Sequence, residues 1–208
     1  MMLKKILNKF YNLGTYSFCF CIFYKFYFYI LALFFKVDNW HIQTPFHCRS
    51  YKQKIVNISN NLKLSSVVEV GCGVGDIISR IKADTKYGFD IEPRVIKLAK
   101  FLDKKTNYEE GSFSNFNKLT HAVDMLIAIN WLHGFDKNFI ENQFLKRDMI
   151  SRIKYIFVDK VSKVGAECHD FEQYFKGLAV KIIDCPDPED ETRVLLLFEV
   201  KIGEKEYV

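Results

Sequence analysis

Three glycines at alternating positions, Gly71, Gly73 and Gly75, follow a short β-branched run and precede a helical pattern. The run, Val67, Val68 and Val70 with Glu69 inside it, reads as a buried parallel strand. Glycine lets a backbone turn sharply and approach a ligand with no Cβ in the way. Ile77, Ile78 and Ile81 then predict a helix whose first N–H groups face an anionic or polar ligand. A second short strand, opening near Lys86, ends at Asp90, about 20 residues beyond the glycine loop, the distance at which an acid reaches ribose hydroxyls in nucleotide-binding α/β folds. Pro93 opens the next helix, which carries Val95, Ile96, Leu98 and Ala99. The chemistry this spacing predicts is nucleoside recognition at one edge of a parallel sheet.

The loop also separates kinds of nucleotide site. A dinucleotide fingerprint, G-x-G-x-x-G, needs glycine at position 76, which is Asp76, and no phosphate-loop Lys-Ser/Thr follows. The pattern present, Glu69-x-Gly71-x-Gly73-x-Gly75 with Asp90 downstream, resembles motif I of class I S-adenosylmethionine-dependent methyltransferases and the acid that ends their second strand. The resemblance covers roughly residues 50–202. It implies an α/β fold with a Rossmann-like, seven-stranded, mostly parallel sheet closed by an antiparallel hairpin, and S-adenosylmethionine as cofactor. It also implies that Glu69, Gly71, Cys72, Gly73, Gly75, Asp90 and Ile91 hold that cofactor, with no metal. Residues 109–113 resemble the family's third-strand exit, so Ser112 and Phe113 would flank the adenine, with Ser112 where many members carry an acid. Residues 123–133 resemble the fourth strand and its loop, with Asn130 and Trp131 on the cofactor side. The order of aromatic helix, Trp40-His41, Arg49-x-Tyr51 and glycine loop is similar to small methyltransferases of bacterial surface-polysaccharide clusters.

Methyl transfer from a sulfonium is an in-line displacement, so alignment in a dry pocket is the main task. A general base is required when a hydroxyl acceptor must lose its proton early. His133, after strand four, is the first candidate, because an ordinary histidine titrates near 6.5. His169, after strand five, is the second, and His41 could close over the site from the N-terminal side. Each has an ordinary alternative as a loop cap or packing residue. Glu69 is expected to order the loop from below, Cys72 to act as a small spacer, and Asp159 to lie near the same sheet edge at the end of strand five. The reading is an enzyme that methylates a hydroxyl of a small molecule or glycan. Its rivals are a non-catalytic scaffold that binds a partner or membrane, and a nicotinamide oxidoreductase, which Asp76 disfavours. Asn130-Trp131-Leu132-His133 is not the N/D-P-P-Y/F loop of base methylation, so no nucleic-acid partner is expected.

The elements that must position these residues fit in 208 residues as one α/β domain, residues 50–208, preceded by a helix and connector, residues 1–49. An apolar fraction of 49% and a charged fraction of 26% exclude general disorder. Residues 1–65 carry nine Lys/Arg and a single acid, Asp38, while the remainder is close to neutral, which points to a membrane surface or another anionic partner for the first third. Residues 15–35, dense in Phe and Tyr, are long enough to span a bilayer, yet Lys25 interrupts them and tyrosine prefers the interface. Three readings stay open: an interfacial helix, a helix buried on the domain or in a homodimer, and a true span. No small-x-small cleavage site follows, against a secretory signal. Six cysteines without C-x-x-C spacing favour a reducing cytoplasm, at the inner face of the membrane if the helix is interfacial. Next, Ile55, Ile58 and Leu62 recur in a helix opened by Arg49 and Ser50, and Trp40, His41, Arg49 and Tyr51 form either a lid or a capped connector. Residues 153–159 read as the fifth strand, and 180–184 with 193–200 as the closing pair, joined by a turn at 186–190.

Overall fold

The five-residue run Ser66–Val70 (β1) alternates its valines between the two faces of a sheet covered on both sides, which is why it is apolar at successive positions. Val67 joins the core under Ile55, Ile78 and Met125, and Val68 and Val70 join the opposite core with Phe89, Phe113 and Val158. The computed structural model describes residues 2–42, 46–116, 119, 121–140, 142, 150–162, 169–175, 179–183 and 193–200, with backbone alone for 2–18, 39, 48, 172 and 179–183.

Helix α1 (Met2–Phe35), a single turn α2 (Asn39–Ile42) and helix α3 (Ser50–Asn61) precede the sheet. Strands β2 (Thr85–Asp90), β3 (Asn107–Glu110), β4 (Val123–Ala128) and β5 (Ile153–Val161) run parallel with β1, and helix α4 (Pro93–Leu102) lies between β2 and β3. Strands β6 (Ala179–Ile183) and β7 (Arg193–Glu199) close the sheet antiparallel, in the order β3-β2-β1-β4-β5-β7-β6. The mixed α/β architecture with an antiparallel closing pair is the expected one; its turn, 186–190, lies outside the described residues. Strand order reverses between β1 and β4, and in open sheets a crevice forms at such a point, beyond the carboxyl ends of the strands.

Two local expectations are corrected. The helix expected from Ile77, Ile78 and Ile81 is one 3-10 turn, Ile78–Arg80, because the loop uses positions 71–77 and only 78–84 remain before β2. All three isoleucines are buried regardless, so the spacing reported burial and not helix. A turn this short has no helix dipole to offer a ligand. Lys25, in turn, does not interrupt an apolar face: at 100° per residue it lies at the edge of the exposed arc of α1. The other side of α1, through Phe28 and Ala32, packs on Val74, Val95 and Leu98, with Val37 and Ile42 completing that cluster. Among the described residues no helix is long and apolar enough to cross a membrane.

Candidate functional site

Backbone donors of the glycine loop are held by carboxylates on either side of it. Gly71 and Cys72 donate to the Phe89 carbonyl at 2.8 and 3.0 Å, carrying the chain off β1 toward β2. Gly73 then donates to Asp90 Oδ2 at 2.8 Å, while Asp90 Oδ1 accepts from the Glu92 N–H at 3.0 Å. Asp90 is thus fixed as an acceptor with further lone pairs facing the cleft. Below the loop, Glu69 accepts from the Ile78 N–H at 3.1 Å. Burial pushes the Glu69 carboxyl up to about 8, against the opposing influence of that N–H and of Lys52, so it is protonated at neutral pH. Burial likewise raises the Cys72 thiol well above its ordinary range, which removes it as a nucleophile.

The loop glycines sit at positive φ, 72°, 53° and 79°, and differ in what surrounds them. A Cβ on Gly75 would lie 2.0 Å from the Tyr108 hydroxyl, and one on Gly71 would lie 2.6 Å from the Trp131 ring. A Cβ on Gly73 would meet nothing within 4 Å. Gly71 and Gly75 are therefore needed for packing, while Gly73 opens onto a cradle.

The cleft is lined by Glu69, Gly71, Cys72, Gly73, Val74, Asp76, Ile77 and Asp90 on the β1–β2 side, and by Ile129, Asn130 and Trp131 beyond β4. The cleft is open to solvent on one side. Asn130 adopts φ 58°, a left-handed conformation that asparagine tolerates. Its N–H donates to Asp159 Oδ1 at 2.8 Å, and its side-chain oxygen accepts from Arg193 at 3.0 Å. Arg193 also pairs with Asp159, both being almost fully buried, and its guanidinium stacks 4.6 Å over Tyr51. One ion pair across β5 and β7 thereby fixes both the loop after β4 and the first turn of α3. Trp131 is wedged between Phe113 at 5.1 Å and Phe135 at 4.4 Å.

The N-terminal segment supplies the lip. Trp40, His41, Tyr51 and Lys52 line the mouth of the cleft. Lys52 pairs with Asp76 at 2.8 Å, pinning α3 to the loop. Asp76, which breaks the dinucleotide pattern, is that buried anchor. Trp40 and His41 stack 3.5 Å apart, and burial lowers the His41 pKa despite the raising influence of Asp90, leaving a neutral imidazole. Arg49 stands at the N-cap position of α3, outside the cleft lining.

Of the residues singled out from sequence, Glu69, Gly71, Cys72, Gly73, Asp90, Asn130 and Trp131 meet in the cleft. Gly75 packs behind it. Ile91, 63% exposed, stands beyond the end of β2. Ser112 starts a short turn, its N–H donating to Asn115, and Phe113 is buried behind Trp131. The two histidines expected as bases are elsewhere. His133 is half-buried in the 3-10 turn Leu132–Gly134, outside the cleft lining. His169 is buried, with Nε2 within 3.1 Å of the Leu132 carbonyl and 2.9 Å of the Phe135 carbonyl. Since carbonyls only accept, Nε2 carries a proton and staples the loop after β4. Asp159, expected at the end of its strand, lies inside β5 and supports Asn130. The missed residues are Lys52, Val74 and Ile129. Lys52 is joined to Asp76 across 24 positions, and no local pattern marks it.

A reversal of strand order with a glycine loop and an acid facing one crevice defines a Rossmann-like α/β fold. Solved structures that superpose on this arrangement include methyltransferases. The N-methyltransferase NodS of Bradyrhizobium japonicum WM9, in complex with S-adenosylhomocysteine, superposes with a TM-score of 0.61 at 14% identity, over 75% of this chain and 88% of that one. Magnesium protoporphyrin IX methyltransferase of Synechocystis PCC 6803, also with bound S-adenosylhomocysteine, gives 0.56 at 14% identity, over 73% and 84%. The methyltransferase domain of bacterial CtHen1 gives 0.58 at 16% identity, over 72% and 96%. At these identities the likeness is one of fold. No family model matches the sequence, and no curated protein matches it.

Proposed function

We propose that the chain is an S-adenosylmethionine-dependent methyltransferase that acts on a hydroxyl of a small molecule or glycan, in the cytoplasm and close to the inner face of the membrane. The observation that carries the reading is the loop at Gly73, whose N–H is held by Asp90 and whose Cβ position opens onto the cleft. Three solved neighbours are methyltransferases, and two of them were crystallised with S-adenosylhomocysteine. The residues present fit the cofactor: a carboxylate acceptor with spare lone pairs suits ribose hydroxyls, and a Cβ-free backbone permits close approach. Asp90 and the backbone of 71–73 would hold it, and Trp131 would form the opposite wall. S-adenosylmethionine supplies a sulfonium-activated methyl group. The chain supplies alignment and exclusion of water.

Trp40 and His41 narrow the mouth of the cleft over the loop. Of the histidines, His41 is the one that lines the cleft, and its depressed pKa leaves a ring nitrogen ready to take the proton of an acceptor hydroxyl. His133 and His169 have no part in this reading. The glycan acceptor rests on the resemblance to surface-polysaccharide methyltransferases, and proximity to a membrane rests on α1.

Calorimetric titration with S-adenosylmethionine, with NADH as control, tests the proposal. Micromolar binding of the first alone supports it. Binding of neither sinks it in favour of a scaffold, and binding of NADH alone returns the oxidoreductase.

A further inference from the structure

We propose that the outward face of α1, with the basic flank of α4, is a docking surface for an anionic lipid bilayer. A helix that is apolar all round is ordinarily covered on every side. Helix α1 is covered on one side by the domain, while Phe23, Phe26, Ile30, Leu33 and Phe34 on the other are 49–79% exposed. Helical spacing places these five on one continuous arc. A contiguous exposed apolar patch on this scale marks an interaction site.

The occupant follows from charge and composition. The arc is flanked by the exposed Tyr27 and Tyr29, whose rings settle at the headgroup boundary, while its Phe, Ile and Leu side chains supply the apolar face of an interfacial helix. Lys25 stands at its edge, where a long side chain reaches the headgroups while its stem stays apolar. Helix α4 extends the surface: Phe101 meets Phe35 at 5.3 Å, and Arg94 donates to the Lys36 carbonyl at 3.3 Å. Arg94 and Lys97, which helical spacing places on the same flank as Phe101, are exposed. Residues 1–37 contain no acid, so a second copy laid on the same face would meet lysine with lysine and no counter-charge. Anionic headgroups complement the face; a symmetric partner does not.

The surface is coupled to the cleft. The Val37 N–H donates to the Ala32 carbonyl, and Val37 and Ile42 pack in the same cluster as Phe28 and Ala32. The lip residues Trp40 and His41 therefore hang from the docking helix, and docking brings the mouth of the cleft to the bilayer. This deepens the membrane-proximal part of the proposed function, but lipid binding itself does not depend on methyl transfer.

The test is flotation of the full chain with vesicles of phosphatidylcholine mixed with phosphatidylglycerol, and with phosphatidylcholine alone. The same preparation is titrated with S-adenosylmethionine, so failure of the cofactor reading is seen separately from failure to dock. Expected is flotation with the anionic vesicles, weakened by salt and lost in the Phe26→Glu/Leu33→Glu variant, whose circular dichroism and cofactor affinity stay those of the parent. Lys97→Ser lowers the vesicle affinity roughly five-fold. Absence of flotation with either vesicle overturns the proposal. So does a dimer in light scattering that Phe26→Glu converts to monomer, because the face then belongs to a second copy.

Discussion

On the β1–β2 side of the cleft the wall is backbone: N–H groups of Gly73, Ile78 and Glu92 are captured by Asp90 and Glu69 within a stretch of some 20 residues. On the β4–β5–β7 side the wall is a side-chain lattice, in which Asp159 and Arg193 hold Asn130 across 29 and 63 positions. A backbone site tolerates change in the side chains around it, provided that the glycines and the two carboxylates remain. A lattice of buried charges tolerates little, since removing one partner strands the other. The first wall leaves open backbone at Gly73, and the second fixes the loop after β4.

The sharpest way to break this contrast is on the lattice side. Arg193→Met is expected to cost about 3–5 kcal/mol in denaturant unfolding by leaving Asp159 buried and uncompensated. A loss within 1 kcal/mol would mean that the pair contributes nothing to the wall. Gly75→Ala follows, at about 3 kcal/mol, from left-handed strain plus the contact with Tyr108. Asp90→Ala is expected to leave the fold in place and weaken S-adenosylmethionine by about 1–3 kcal/mol, read by calorimetry. Unchanged affinity would remove Asp90 from the site.

Two smaller effects sharpen the comparison through pH. With its folded-state pKa raised to about 8 from an ordinary 4.5, Glu69 gives stability that is complete below 4.5 and is lost as pH rises through 8. Between these values the wild type should lose up to about 1.4 kcal/mol per pH unit from this group, and Glu69→Gln should flatten the slope while keeping the bond from Ile78. A slope unchanged in the variant would assign the pH dependence elsewhere. His41, whose pKa is lowered by burial, stabilises the fold above its ordinary 6.5 and loses that contribution as pH falls through its folded value. An NMR titration midpoint for His41 below 6.5 is expected; one above it would contradict the neutral imidazole.

The same contrast explains what could be read from the chain. The β1 loop, Asp90 and the strand succession are local patterns, so their spacing in sequence is their spacing in space. The closing antiparallel pair was legible too, as two apolar runs. The Asp159–Arg193–Asn130 lattice and the Lys52–Asp76 pair join residues far apart in sequence and left no signature. Periodicity failed at Ile77, Ile78 and Ile81, because three buried residues on and beside a 3-10 turn mimic the start of a helix. Histidine type alone pointed to His133 and His169; of the histidines, His41 is the one that lines the cleft. Lys25 looked like an interruption in a linear stretch and became an edge once the stretch was wound into α1.

The most direct test of the cofactor cradle is thermal unfolding of the wild type and Gly73→Ala with and without S-adenosylhomocysteine. At a hundred-fold excess over its dissociation constant the ligand should stabilise the wild type by about 2.7 kcal/mol. The variant, folded but with a methyl group in the cradle, should lose most of that gain. Equal stabilisation of both chains would place the ligand away from Gly73 and contradict the account.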